Sequence, residues 1–487
     1  MLKEMSNNRR SVFRTTGLKM KIVGIALSIT ALIIAFAIYE SKTVGIYKYV
    51  FILPLLFTTI NFLFLNIYNR LTIVTIIVIT MEFIRYVLTP LVLMIENYPK
   101  GLYTYSFNNE KMVNTILTMA IEIIAIYFAL YKTRRYSDIV IDDKALVKKI
   151  VDKENYSKLG ISSYAIILFT IAIFLMFPAV RNIYSFIFSG ELDSLTYVTS
   201  SVMDSLPRGV GWLGNTFGEI TRYILLENIL LALFKENLKK QKKKYFFISI
   251  AIIMLNIIFV TSSMVISLLA SIVLFFQVYI LYPQDRKKII KFSIVFGGVA
   301  ILAVIFSYLK NVLSYQSLSQ MIQDYTNGYY NIYQAQCAYE KYNLGIIDKI
   351  MMLFLGDGIA NISPINIFFH VVNSSDIFNN YLYGRKFNGG AVLPFVSQWT
   401  YYFTPVIGSF FSALPVIYAK KIEKKWRNGD GNILVLGMLS LVLALTPFMY
   451  NTPTFIHIIT MSIIPLWVAA KANKIFVFKM RSKTFLT

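Results

Sequence analysis

Long apolar stretches are the feature that most constrains how this chain can fold. A helix of about 20 apolar residues is long enough to cross the hydrocarbon core of a bilayer. Only 15% of the 487 residues are charged, against about 25% in soluble proteins, so polar residues are too few to cover soluble domains. The sequence therefore predicts an all-α polytopic membrane protein in which residues 1–487 form a single integral membrane domain. We identify twelve candidate spans: 21–39, 47–66, 71–95, 112–131, 160–179, 210–234, 245–261, 264–282, 289–309, 391–419, 432–450 and 454–470.

The distribution of basic residues predicts the orientation of these spans. Alternate connecting segments carry 35 of the 48 Lys and Arg residues, whereas the segments on the opposite side carry 11. Cytoplasmic loops are enriched in Lys and Arg, so we expect both termini and the loop 132–159 to be cytoplasmic and the loop 180–209 to be outside. The first span then serves as a retained signal-anchor. The net charge of +23 follows from this topology and from contact with anionic membrane lipid, so we expect no nucleic-acid partner.

One outer loop is much longer than the others and separates the ninth and tenth predicted spans. It covers residues 310–390, and its apolar and aromatic content predicts a partly helical segment rather than a disordered one. Tyrosines are dense in it, above all Tyr329, Tyr330 and Tyr333. A tyrosine ring can pack on the apolar face of a sugar while its hydroxyl bonds the rim, which predicts a sugar platform. An aromatic belt at the membrane edge is the alternative.

Charged residues inside the predicted spans are costly and usually face a partner or an aqueous cavity. Glu82 and Arg85 lie three residues apart in the third span, and Glu219 and Arg222 have the same spacing in the sixth. Residues three apart share a helix face, so each pair can form an ion pair. A polar cavity crossed by a substrate is the alternative, and Glu122 in the fourth span would belong to it.

The sequence lacks the residues and motifs that several kinds of chemistry require. Cys337 is the single cysteine, and His370 and His457 are the two histidines, which excludes an internal disulfide and makes a metal centre improbable. The sequence has no Gly-rich phosphate cradle followed by Lys-Ser/Thr, no His-Glu-x-x-His and no Gly-x-Ser-x-Gly. We therefore expect no metal and no cofactor.

Two short motifs in the long outer loop carry a family resemblance. Asp324-Tyr-Thr-Asn-Gly-Tyr-Tyr330 lies near its start, and Gly389, Gly390 and Pro394 precede an aromatic stretch that ends at Phe403. Together with the predicted topology, these motifs resemble the Wzy-type O-antigen and capsular-polysaccharide repeat-unit polymerases.

The chain also departs from the pattern of that family. Gln398 stands where an acidic residue is often found, and Thr404 and Pro405 stand where a glycine is usual, with Gly408 a few residues later. The family often has an arginine at a mid-chain turn between two spans, where this chain has Thr261-Ser-Ser-Met. The role of the family's arginine is therefore not assigned to any residue of that turn.

The resemblance implies a metal-independent glycosyltransferase at the outer face of the bacterial plasma membrane. It would move the growing glycan from undecaprenyl diphosphate onto a new lipid-linked repeat unit, beside a flippase and a chain-length regulator as partners. Such a reaction needs cations to stabilise the departing diphosphate and a base to take the proton of the acceptor hydroxyl. The candidate cations are Arg385, Arg208 and Arg181, with Lys386 in support. The candidate bases are His370, Asp324 and Asp376.

Other classes of protein fit the same composition. An O-antigen ligase, or another polyprenol-dependent glycosyltransferase, would share this architecture but transfer finished chains to the lipopolysaccharide core. A flippase for lipid-linked oligosaccharides would have more evenly spaced spans and no 80-residue outer loop. A channel or signalling protein is a non-enzymatic alternative that no motif supports.

Arg385 yields a first prediction, because it stands between Gly384 and the Gly389–Gly390 pair, where a flexible backbone can approach a phosphate. We expect Arg385→Ala to abolish chain extension while the protein still inserts in the membrane. A gel of surface polysaccharide, with an immunoblot of the membrane fraction, measures both. Long polymer of normal length from this variant would contradict the assignment.

Overall fold

The computed structural model describes residues 2–96, 108–137, 161–186, 206–207, 209–240, 242–260, 264–295, 297–298, 302, 318–369, 371–384 and 392–472. Nearly all of these residues that have regular structure are helical, which confirms the all-helical part of the predicted fold class. The exception is a short antiparallel pair in which β1 (Ser185–Phe186) lies beside β2 (Phe259–Val260).

The first part of the chain forms ten helices within the described residues. They are α1 (Leu2–Glu40), α2 (Ile52–Leu63), α3 (Ile73–Phe83), α4 (Thr89–Glu96), α5 (Asn109–Thr133), α6 (Ile161–Met176), α7 (Val210–Lys240), α8 (Lys244–Ile258), α9 (Met264–Leu281) and α10 (Pro283–Val295). One turn of π-helix, Ile84–Leu88, joins α3 to α4.

The second part contains short helices followed by longer ones. They are α11 (Leu318–Thr326), α12 (Tyr329–Lys341), α13 (Ile346–Met351), α14 (Ile365–Phe368), α15 (Ser374–Tyr383), α16 (Phe395–Tyr402), α17 (Pro405–Arg427), α18 (Ile433–Met449) and α19 (Thr452–Ile458). The segment 310–390 thus contains α11–α15, so the prediction that it is partly helical is confirmed for its described residues.

Several helices are long and apolar enough to cross a membrane. Among the described residues there are five such segments, or six if α9 and α10, which are bent by 107°, form one span. The five are Met20–Glu40, Gly45–Leu63, Ile73–Glu96, Asn109–Tyr136 and Thr452–Ala472. Large apolar side chains on α1, such as Ile33 and Phe36, are about two-thirds exposed, as expected of a face that meets lipid.

The twelve predicted spans are therefore not all supported. α6, α8 and α18 are apolar but shorter than 18 residues, and the 31-residue α7 carries Glu219, Arg222 and Glu227 within its apolar stretch. The second half of the predicted span 289–309 lies outside the described residues, apart from residues 297–298 and 302.

The predicted span 391–419 is wrong as a single helix. The chain breaks at Phe403, and α16 packs against the following α17. A side chain at Gly408 would lie 2.7 Å from the Thr400 backbone nitrogen, so the absence of Cβ allows this close approach. The rings of Trp399 and Phe411 stack across the contact with centroids 4.0 Å apart. Thr404 and Pro405 start a new helix because the Thr404 hydroxyl caps it and proline suits its first turn.

α17 is central to the packing, because it contacts α5, α16, α18 and α3. Its buried face is rich in small residues, which let neighbouring helix backbones approach closely. These are Gly408, Ser409, Ser412, Ala413 and Ala419.

The other end of α17 is attached to the start of α3 by a buried ion pair. Lys420 Nζ lies 3.2 Å from Glu423 Oε2 and donates to the Thr72 hydroxyl, while Glu423 accepts from Thr72 Oγ1 at 2.6 Å and from the Val74 amide at 3.2 Å. A carboxylate at a helix N-terminus is favoured by the helix dipole and the free amides there. The pair therefore fixes α17 against α3.

The α16–α17 contact yields a second prediction. Gly408→Ala places a methyl group 2.7 Å from the Thr400 backbone nitrogen, closer than real Cβ contacts, so we expect a loss of about 1–3 kcal/mol of folding free energy. The thermal unfolding of the protein in detergent measures it. Gly297→Ala is the matched control, because a Cβ there meets no atom within 4 Å. Equal stability of the two variants would contradict the packing described.

Candidate functional site

The predicted site residues fall into two groups. Four lie outside the described residues: Arg208, His370, Arg385 and Lys386. The other six are placed by the structure: Arg181, Asp324, Asp376, Tyr329, Tyr330 and Tyr333. Asp376 forms a capping box with Asn373 at the start of α15, and its role as a base stays a prediction. The roles predicted for the first group stay predictions.

Asp324 is a partly exposed carboxylate held in a defined orientation. Its Oδ1 accepts from Gln320 Nε2 at 3.0 Å within α11 and from Asn331 Nδ2 at 3.1 Å in the first turn of α12. Burial raises the pKa of Asp324 to about 6, although both hydrogen bonds act in the opposite direction. A carboxylate with a pKa near neutrality is suited to accept and release a proton.

The turn that joins α11 and α12 is what brings Asp324 and Asn331 together. Asn327 adopts a φ of +47°, a left-handed conformation that asparagine tolerates better than most residues. The Gly328 amide then donates to Gln323 O at 2.9 Å, and the Tyr330 amide donates to Gln323 Oε1 at 2.7 Å. Gln323 thus holds both sides of the turn.

The three tyrosines predicted as a sugar platform are buried. Tyr329, Tyr330 and Tyr333 are each at most 1% exposed, and they belong to the main hydrophobic core. Tyr333 Oη accepts from the Asn108 amide at 3.3 Å, which ties α12 to the start of α5. Their rings therefore offer no exposed face to a sugar in this conformation, and a role in sugar binding stays a prediction.

The side chain of Arg181 caps the C-terminal end of α6. Its Nε and Nη2 donate to Phe174 O at 3.0 and 2.8 Å, which satisfies a carbonyl in the last turn of α6. The side chain is exposed, and its proposed contact with a diphosphate stays a prediction.

The structure reveals a buried carboxylate, Asp357, that sequence reasoning did not single out. Its Oδ1 accepts from the Ser374 amide at 2.8 Å and the Ser374 hydroxyl at 2.9 Å. Its Oδ2 accepts from Gln398 Nε2 and Tyr402 Oη, both at 2.5 Å. Gln398 Oε1 in turn accepts from the amide and hydroxyl of Thr452 at 2.9 Å.

This network connects three parts of the chain that are far apart in sequence. Asp357 and Ser374 belong to the 310–390 segment, Gln398 and Tyr402 to α16, and Thr452 to the start of α19. Burial raises the pKa of Asp357, whereas its four hydrogen bonds oppose the rise. In the sequence, Gln398 was the one residue of this network that drew attention, because the polymerases that the chain resembles often have an acidic residue at that place.

His457 forms a second contact between the same segment and α19. Its Nδ1 lies 3.1 Å from Asn366 Nδ2 and 3.3 Å from Ser363 Oγ, and the Ser363 amide donates to Thr460 Oγ1 at 3.0 Å. The histidine therefore helps to hold the segment against the helix.

The predicted pair of Glu82 with Arg85 is wrong. Arg85 Nη1 lies 2.9 Å from Glu122 Oε2 on α5, and both side chains are fully buried. The α-helix ends at Phe83, and a π-helical turn that starts at Ile84 carries Arg85. Both carboxylate oxygens of Glu82 are buried without a hydrogen-bond partner.

Arg222 donates hydrogen bonds to residues of a neighbouring helix. Its Nη2 donates to Asn256 O at 2.6 Å and also to Phe259 O, at the end of α8. Glu219 accepts from Ser462 Oγ on the last helix at 3.2 Å. An arginine from α7 therefore lies next to the turn between α8 and α9, whose residues 261–263 are outside the described part.

No three His, Cys, Asp or Glu side chains come together as a potential metal site within the described ranges.

In comparisons with known proteins, no family model matches this chain, and neither a curated protein nor a solved structure matches it significantly. The fold and the placed residues define a helical protein with several candidate membrane spans and a carboxylate-bearing turn next to them.

The Asp357 network yields a third prediction. Asp357→Asn turns an NH₂ group towards Gln398 Nε2 and Tyr402 Oη, so buried donors lose their acceptor, and we expect a loss of about 2–5 kcal/mol in folding free energy. Thermal unfolding in detergent measures the change. Asp348→Asn, on an exposed position of the same segment, is the control and should unfold like the original chain. A stability equal to that control would argue against the network.

Proposed function

We propose that this chain is a metal-independent glycosyltransferase that acts on glycans linked to undecaprenyl diphosphate at the outer face of the bacterial plasma membrane. More specifically, we propose that the protein is the polymerase that transfers the growing glycan onto a new lipid-linked repeat unit of a surface polysaccharide. The observation that carries the proposal is the Asp324 carboxylate, oriented by Gln320 and Asn331 and with a pKa of about 6.

The surroundings of Asp324 favour a reaction next to the membrane. α11 packs against α4, and the Ser319 amide and hydroxyl donate to the carboxylate of Glu96, the last residue of a candidate span. α12 is attached to the start of α5 through Tyr333 and through the ion pair of Glu340 with Lys111. Asp324 therefore lies close to the ends of two candidate spans, where a substrate on a lipid carrier is presented.

Asp324 is suited to act as the general base of this transfer. In the reaction, the acceptor hydroxyl attacks the anomeric carbon, its proton passes to Asp324 Oδ2, and the bond from that carbon to the diphosphate oxygen breaks. Both orienting hydrogen bonds go to Oδ1, so the other oxygen is available to the hydroxyl. Undecaprenyl diphosphate leaves with its charge stabilised by cations, for which Arg385, Arg208, Arg181 and Lys386 are the candidates.

A deletion strain and its complemented derivatives test the function. Loss of the long polysaccharide ladder on deletion, with a single repeat unit left on its acceptor, is the expected result. Full-length chains that accumulate on undecaprenyl diphosphate would instead indicate a ligase, and an unchanged ladder would contradict both. Loss of all surface glycan, with repeat units retained inside, would indicate a flippase.

A fourth prediction concerns the base itself. Asp324→Asn keeps the shape of the side chain and its contacts with the turn but cannot accept the proton, so we expect chain extension to fall about 100-fold or more. The length distribution of the polysaccharide and an immunoblot of the membrane fraction measure the effect. Asp348→Asn is the control and should restore the full ladder. A normal ladder from Asp324→Asn would remove Asp324 from the mechanism.

The pH dependence gives a fifth prediction. A raised pKa means that Asp324 is protonated below about pH 6 and able to act as a base above it. We expect the rate of extension in membrane vesicles to fall about tenfold per pH unit below pH 6 and to level off above it. A rate that stays constant from pH 5 to pH 7.5 would contradict the role of Asp324 as base.

A further inference from the structure

Residues 357–374 form a hairpin that closes at its base. The Ser374 amide and hydroxyl donate to Asp357 Oδ1 at 2.8 and 2.9 Å, so the chain leaves and returns at the same place. The part in between contains a short 3-10 turn and the helix α14. We call its residues 359–369 the hairpin tip.

The hairpin runs along the last candidate span, from the start of that span towards its middle. Its base is joined through Gln398 to Thr452, the first residue of the span. Its tip lies further along, because the Ser363 amide donates to Thr460 Oγ1 at 3.0 Å and Ser363 Oγ lies 3.3 Å from His457 Nδ1. At a rise of 1.5 Å per residue, these two partners lie roughly 8–12 Å along the helix, and half of a hydrocarbon core is about 15 Å thick. The tip therefore lies beside a part of the span that crosses hydrocarbon.

The exposed surface of the hairpin tip is apolar. Phe368, for example, is 71% exposed. All the residues of the tip that the structure describes as exposed have apolar side chains, and they are Ile359, Pro364, Ile365, Phe368 and Phe369. The preceding helix α13 also exposes Ile346, Ile347 and Ile350. Large apolar side chains exposed together mark a surface that contacts another molecule or a membrane.

The backbone of the tip finds its hydrogen-bond partners within the protein. Four amides donate to backbone carbonyls of the hairpin at 3.0–3.1 Å, and they belong to Asn361, Ile362, Asn366 and Phe369. The Asn361 side chain donates to the Gly356 carbonyl at 2.5 Å. Hydrocarbon holds no water to bind polar backbone groups, so a segment that enters it must satisfy these groups internally. The tip meets this requirement at the amides named.

We propose that the hairpin tip is a re-entrant loop that enters the hydrocarbon of the membrane, where its exposed side chains contact lipid acyl chains. Lipid is the occupant because the tip lies beside a candidate span at hydrocarbon depth. The distribution of basic residues predicts that Thr452 lies at the outer face, so the tip enters the outer leaflet. The segment 310–390 is then anchored in the bilayer. The proposal depends on the last candidate span and is independent of the proposed function.

Spin labels test the depth of the tip. Ile365→Cys and Phe368→Cys each place one label on it, in a chain whose single cysteine is replaced by Cys337→Ser. Asn343→Cys, at an exposed polar position of the same segment, is the matched control. The full-length variants are reconstituted in phospholipid vesicles. Relaxation of each label is measured with oxygen, which concentrates in hydrocarbon, and with a nickel chelate, which stays in water.

We expect oxygen to relax both tip labels and the nickel chelate to lose its effect on them, whereas the chelate relaxes the label of Asn343→Cys. Relaxation of the tip labels by the chelate to the same extent as the control would overturn the insertion. Relaxation by neither agent would mean that protein covers the tip, from a second copy or another partner. That result would overturn lipid as the occupant.

A second measurement leaves Cys337 in place, so it does not depend on how the chain tolerates replacement of that buried residue. Phe368→Trp and Asn343→Trp are compared with the original chain in vesicles whose lipids carry bromine on their acyl chains. We expect a loss of the fluorescence added by Phe368→Trp and no loss of that added by Asn343→Trp. Equal quenching at the two positions would contradict the insertion. Neither measurement involves polysaccharide, so the insertion and the proposed function can fail separately.

Discussion

The carboxylate of Asp357 is the contact on which the arrangement of the second half of the chain depends. A fully buried charge is costly unless hydrogen bonds surround it, and Asp357 receives four of them from three residues. Because Gln398 also holds Thr452, the same network fixes α16 and the start of α19. The 310–390 segment is thereby attached to the helical bundle, next to the stacked rings of Tyr339 and Tyr401.

Two more attachments hold the early part of that segment against the bundle. Ser319 binds Glu96 at the end of α4, and Tyr333 binds the amide of Asn108 at the start of α5. The turn between α11 and α12 lies between these anchors. These anchors hold the turn, and with it Asp324, in a defined position between α4 and α5.

Charged side chains inside the apolar helices are also costly to bury unless other groups compensate them. Arg85 pairs with Glu122 on α5, Arg222 binds carbonyls at the end of α8, and Lys420 joins Glu423 to Thr72. Arg85 and Arg222 are thus compensated by groups on other helices, whereas Lys420 pairs with Glu423 on its own helix and both side chains reach Thr72. The sequence spacing offered pairs along single helices for Glu82 with Arg85 and for Glu219 with Arg222, and it could not show that Glu122 on α5 would be the ion-pair partner of Arg85.

The sequence by itself determined that the chain is helical, rich in apolar segments and built around a long segment with its own short helices, because length and hydropathy suffice for these conclusions. It also offered Asp324 as a candidate base, through the resemblance of the stretch from Asp324 to Tyr330 to a family motif. Only the tertiary structure decided that α16 folds back on α17, that Tyr329, Tyr330 and Tyr333 are buried, and that Asp357 meets Gln398. These outcomes depend on contacts between residues far apart in the chain, and apolar periodicity carries no information about which helix faces which.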